Sequence, residues 1–273
     1  MLSTYFFTQV INGYLPEPHA SLLNGILLGI PVRGQTLLYN QLKTVGLVHI
    51  VVLSGMNITL LSAIITNITS HLGKKISLLT TIATIIIFIS FVGAQPPVIR
   101  AGFMGVLTLI GILLGRKTLV LYSLLLSAIF IAIFWPSWPT TISFQLSYAA
   151  TLGLILFSKK GAPTKNEETN NTLKGKLTEY VYDEWRTSMS AQIFTVPLIC
   201  VYFRQISLIS PIANILVSWT IAPLMIFGFM AAILGKIHFA LGIVPAYISY
   251  GILTYIIFVV EMLSKVPFAS ISF

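Results

Sequence analysis

The chain has 273 residues, of which 56% are hydrophobic and only 8% charged, with a mean hydropathy of +0.92. Water-soluble domains carry about 25% charged residues, so the composition excludes a cytosolic enzyme, a secreted domain and a disordered chain. It identifies an integral membrane protein. Sixteen Lys and Arg against seven Asp and Glu give a net charge of +9, a bias toward anionic partners such as lipid headgroups or nucleic acid.

In chain order, residues 1–45 read as an outer-side interfacial segment. Leu2 to Tyr14 mixes apolar and polar positions and is ended by Pro16 and Pro18. Leu22 to Leu28 is too short to cross a bilayer, and Gly34 to Lys43 suits an amphipathic helix lying at the interface. No secretory leader is expected, because the start is not basic and no small-residue cleavage site follows. An N-terminus starting outside without a leader suits the continuation of a longer protein.

From position 46 onward, stretches without Asp, Glu, Lys or Arg mark the spans: 44–73, 76–99, 101–115, 118–158, 187–203, 205–235 and 237–260. The fourth is too long for one helix and is split by Trp135-Pro136-Ser137-Trp138-Pro139, two helix breakers beside two interface-seeking indoles. Eight helices are therefore predicted, at about 46–71, 76–94, 98–115, 118–135, 140–158, 188–203, 209–235 and 240–263. The apolar runs are continuous rather than alternating, which excludes a membrane sheet. The predicted fold is an all-α polytopic transmembrane bundle over 46–273, with a polar cytoplasmic linker at 159–178 and a surface helix over 179–186. Cys200, the single cysteine, lies in an apolar run and reads as packing.

Basic residues set the orientation. Lys74, Lys75, Arg116, Lys117, Lys159, Lys160, Lys165, Lys174, Lys176, Arg186 and Lys236 fall on one side, against Arg33, Lys43, Arg100, Arg204 and Lys265 on the other. The first side is assigned to the cytoplasm and both termini to the outside.

Polar groups in hydrocarbon need partners or water, so those inside spans are candidates for function. Gly46-Leu47-Val48-His49 and Ser54-Gly55-Met56-Asn57 form the densest group. Gly55 costs a helix about 1 kcal/mol against Ala, which fits either a close, hydrogen-bonded helix approach or a broken helix lining a cavity. Arg100 follows Gln95-Pro96-Pro97 by about one turn; it either snorkels to headgroups or faces an aqueous path and holds an anion. Gln145 and Ser147 stand in Phe144-Gln145-Leu146-Ser147-Tyr148, Gln192 precedes Pro197, and Pro211, Asn214 and Pro223 interrupt the seventh span. No phosphate-loop sequence or paired-His zinc motif is present. His49 and Ser54 on one helix point about 140° apart, which disfavours a hydrolytic dyad. No catalytic residue, metal ligand or cofactor is expected.

Taken in order, these groups resemble the ComEC competence proteins, polytopic channels for transforming DNA. The resemblance rests on Leu15-Pro16-Glu17-Pro18, Leu22-Leu23-Asn24-Gly25-Ile26-Leu27-Leu28-Gly29, Gly46-Leu47-Val48-His49, Ser54-Gly55-Met56-Asn57-Ile58, Arg100-Ala101, the Phe144–Tyr148 run, Gln192 with Pro197, and Pro211, Asn214 and Pro223. Relatives usually have His at position 57 and Phe at 148, where this chain has Asn57 and Tyr148. They also place membrane helices and an oligonucleotide-binding-like domain before this region, and many place a metallo-β-lactamase-like domain after it. The resemblance implies that 46–273 is the channel domain and that single-stranded DNA crosses the cytoplasmic membrane through it. Membrane lipid and separately encoded DNA-binding, nuclease or motor components would then be its partners.

On that expectation Arg33, Lys43, Arg100 and Arg204 attract the strand, and His49, Ser54, Asn57, Gln145, Gln192 and Asn214 offer neutral contacts. Tyr148, Tyr202 and Phe203 offer stacking surfaces for bases. A secondary transporter of a small polar solute and a membrane scaffold for a separate hydrolase remain the alternatives.

Overall fold

A computed structural model describes residues 2–30, 36–51, 55–157, 173–267 and 269–272. The all-α expectation holds. In chain order the helices are α1 (Leu2–Tyr14), α2 (His19–Leu28), α3 (Thr36–Val45), α4 (Val48–Val51), α5 (Gly55–Thr69), α6 (Lys74–Val92), α7 (Pro96–Leu113), α8 (Val120–Phe134), α9 (Ile142–Phe157), α10 (Leu173–Phe203), α11 (Ser210–Ile237) and α12 (Phe239–Ser264).

Helix ends follow local chemistry. Pro96 and Pro97 occupy the first turn of α7, where a missing N–H costs nothing, and Gln95 before them is extended. Gly29 closes α2 in the left-handed region at φ 67° and donates its N–H to the Gly25 carbonyl.

The predicted count of eight spans is not reproduced. Four described helices are long and apolar enough to cross a membrane: α6, α7, α11 and α12. Helices α8 and α9 are apolar but have 15 and 16 residues, about 24 Å or less of rise against about 30 Å of hydrocarbon. The predicted 46–71 helix corresponds to α4 and α5, on either side of 52–54, which lie outside the described residues. The predicted surface helix over 179–186 and the sixth span are one 31-residue helix, α10, with Pro197 inside it.

Within 1–45, α2 packs into the protein. Eight of its ten residues are buried, and Leu23, Ile26 and Leu27 sit at the centre of the main apolar cluster. Leu42 of α3, Val217 and Leu224 of α11, and Leu253 and Ile256 of α12 complete that centre. A ten-residue apolar helix cannot span, but enclosed by longer helices it needs no membrane to satisfy it. Gly228 makes room for it: a Cβ there would stand 2.8 Å from Leu27 Cδ1.

Ring contacts place Lys236 relative to α6. Phe88 near the end of α6 meets Phe229 near the end of α11, with ring centroids 6.1 Å apart. Phe7 lies 5.2 Å from the Phe91 ring, and the Lys236 ammonium lies 5.2 Å over Phe7. Lys236 therefore sits near the end of α6, away from Lys74 and Lys75 at its start. Helix α12 returns antiparallel, with Tyr255 donating its hydroxyl to the Leu216 carbonyl at 3.2 Å. Lys265 thus lies at the other end of α12 from Lys236.

An antiparallel ribbon joins β1 (Gln205–Ser207) to β2 (Ser270–Ser272), with Ile206 opposite Ile271. Three residues per strand give no readable alternation, and the sequence did not predict it.

Gly153 marks the closest approach of α9 to α10, since an added Cβ would land on the Ser190 carbonyl oxygen. Backbone cannot yield as a side chain can. Gly153→Ala is expected to cost about 1–3 kcal/mol, read as a lowered unfolding midpoint in detergent.

Candidate functional site

Helix α9 distributes its polar side chains among three neighbours. Gln145 accepts a hydrogen bond from the Tyr202 hydroxyl of α10 at 2.9 Å and donates to the Pro139 carbonyl at 3.4 Å. Tyr148 and Ser127 of α8 share a hydroxyl–hydroxyl bond of 2.8 Å, and the Tyr148 ring stacks on Phe144 at 4.2 Å. Ser147 and Thr151, one turn apart, face Arg100 of α7.

Arg100 is the centre of this arrangement. Its Nε donates to Ser147 Oγ at 2.8 Å and its Nη1 donates to Thr151 Oγ1. The guanidinium lies 5.9 Å from the centroid of the Tyr148 ring, within cation–π range. Its Nη2 comes to 2.8 Å of the place a Cβ would occupy on Gly55, so the bare glycine at the start of α5 makes space for the charge. All these partners are neutral, and among the described residues no carboxylate pairs with Arg100. The hydroxyls solvate the guanidinium without cancelling its charge. The guanidinium thus keeps its full positive charge after its hydrogen bonds are made.

The other predicted residues divide. Asn57 is 1% exposed and donates its Nδ2–H to the Ile26 carbonyl at 2.8 Å. That carbonyl belongs to the last turn of α2 and has no successor in the helix, so Asn57 closes a helix end inside the core. Asn214 donates to Ser188 Oγ at 3.0 Å across the α10–α11 contact, while its buried Oδ1 has no partner. Gln192 is half-buried on α10 and is not brought to the Arg100 cluster. Lys43 is exposed in the last turn of α3, where its charge suits the helix terminus. His49 is exposed on α4, its Nδ1–H donating to the Gly46 carbonyl at 3.0 Å, which leaves Nε2 as the acceptor. Arg33 and Ser54 lie outside the described residues. Among the described residues no cluster of His, Cys, Asp or Glu could hold a metal ion.

The partners Thr151, Ser127 and Ser188 went unnoticed in the sequence. Thr151 was findable, since it stands four residues after Ser147 and shares its helical face. Ser127 and Ser188 carry no such signal: serines that bond their own helix backbone are common in membrane segments.

Comparison with known proteins gives an independent line. The family model described as "Competence protein" matches residues 28–273. The ComE operon protein 3 of Bacillus subtilis (strain 168) is 27% identical over 208 residues, which cover 75% of this chain and 25% of that protein. The aligned part thus spans about a quarter of the relative's length. No solved structure matches.

Two substitutions separate structural from site chemistry. Asn57→Leu leaves the Ile26 carbonyl unmet and is expected to cost about 1–2 kcal/mol of stability in mixed micelles. Tyr148→Phe keeps the ring beside Arg100 and removes only the bond to Ser127, for an expected cost of about 0.6 kcal/mol.

Proposed function

The chain belongs to the competence-protein family, and from that premise we propose that it forms the membrane path by which a single strand of DNA enters the cytoplasm in natural transformation. The supporting observation is Arg100, a cation held inside an apolar bundle by Ser147, Thr151 and the Tyr148 ring with no described carboxylate beside it. A phosphodiester backbone is the anion such a site suits. Neutral partners keep the guanidinium oriented, and one uncompensated charge binds phosphate weakly enough for the next phosphate to replace it.

In this reading the protein resides in the cytoplasmic membrane, and the Lys74–Lys75 end faces inward by the positive-inside bias. His49 and Lys43, both exposed, stand available to the strand on the shorter helices. The role is conduction rather than catalysis. Binding of the incoming duplex, removal of one strand and the force of transport belong to separately encoded components. The name of the Bacillus subtilis relative, a ComE operon protein, supports the competence assignment.

The test is uptake of labelled DNA by cells carrying Arg100→Gln or Arg100→Lys, with membrane abundance checked by immunoblot. A charge-assisted phosphate contact is worth about 1.5–3 kcal/mol, so Arg100→Gln is expected to reduce internalised DNA about tenfold or more. Arg100→Lys should recover part of the loss. Wild-type uptake in Arg100→Gln at normal abundance would remove Arg100 from the path and the reading with it.

A further inference from the structure

Away from Arg100, the corner between α1 and α2 stands off from α12 and leaves a cleft of about 540 Å³. Its α12 wall is Phe239, Ile243, Ala246, Tyr247 and Tyr250. Those positions recur every three or four residues, so they form one helical stripe about 16 Å long. That length matches one leaflet, half of a hydrocarbon core about 30 Å thick. The facing wall is the backbone run from Gly13 to Pro16. Tyr14 fixes the upper part of the cleft, stacking on Phe239 at 4.5 Å and donating its hydroxyl to the Phe239 carbonyl at 2.6 Å. Tyr247, at 73% exposed, stands free along the stripe.

Polar groups gather at the Phe239 end. Lys236, three residues away at the end of α11, rests its ammonium on the Phe7 ring and has no carboxylate partner among the described residues. His238 accepts the Ala240 N–H at Nδ1, so Nε2 carries the proton of the neutral ring and remains a donor. Lys236 and His238 thus directly precede Phe239 at one end of the slot, and Gly235 beside them packs on the lining residue Tyr14.

We propose that this cleft is a site for an anionic phospholipid, one acyl chain lying along the α12 stripe and the phosphate at Lys236 and His238. The length of the stripe selects a chain that runs along the membrane normal. The unpaired lysine at one end selects an acidic head. Neither the Arg100 cluster nor the conduction reading enters this assignment.

The experiment is native mass spectrometry of the detergent-purified full chain titrated with dioleoyl phosphatidylglycerol or dioleoyl phosphatidylcholine. The wild-type protein is expected to retain one phosphatidylglycerol at about fivefold lower concentration than phosphatidylcholine, the worth of one lysine near a phosphate. Lys236→Gln should abolish that preference while leaving neutral-lipid binding in place. Gly13→Phe should lose both lipids, because Gly13 lines the cleft and a Cβ there meets nothing within 4 Å, so the added ring is expected to fill it. Equal retention of the two lipids by the wild type would overturn the proposal. So would unchanged phosphatidylglycerol binding in Gly13→Phe, or a dimer that excludes lipid. Should Gly13→Phe fail to fold, the Lys236→Gln comparison decides alone.

Discussion

Inside hydrocarbon a polar group must be answered by another, and most of this bundle's internal geometry can be traced to that demand. Arg100 is answered by two hydroxyls of α9, Tyr148 by Ser127, Gln145 by Tyr202, and the end of α2 by Asn57. Each bond joins two helices at a defined depth, which apolar packing alone does not do in a lipid-like surrounding. Helix α9 is the common member of three of these pairs. Apolar enough to belong in the membrane, it owes its position between α7, α8 and α10 to four polar side chains and to the missing Cβ of Gly153.

The same demand is met in two ways. Asn57 is buried and donates to the Ile26 carbonyl, a neutral bond between neutral groups. Arg100 makes two hydrogen bonds and a ring contact, all to neutral partners, so its positive charge persists after the bonds are made. Charge is what distinguishes the two. A bundle that needed only rigidity could have used Gln at position 100 at smaller desolvation cost.

Much of this was legible in the sequence because charge-free runs are a strong signal. The spans that became α6, α7, α11 and α12 were placed within a few residues, and Arg100, Gln145 and Tyr148 were singled out by their polarity amid apolar neighbours. What a sequence hides is the company each side chain keeps. Leu22 to Leu28 looked too short to cross a bilayer, and in the structure eight of the ten residues of α2 are buried. Asn57 shows as a polar side chain amid apolar ones, but the orphan carbonyl that it meets lies thirty-one positions earlier. The ends that Lys236 and Phe91 share through Phe7 are likewise visible only in three dimensions.

The ribbon of β1 and β2 has a practical bearing on reporter experiments. Ser270–Ser272 hydrogen-bonds to Gln205–Ser207 at the corner where α10 hands over to α11. A fluorescent protein or affinity tag appended after Phe273 would hang from a stitched seam rather than a loose thread. Its weight would be felt at that corner, so spacers of several flexible residues belong in any such fusion.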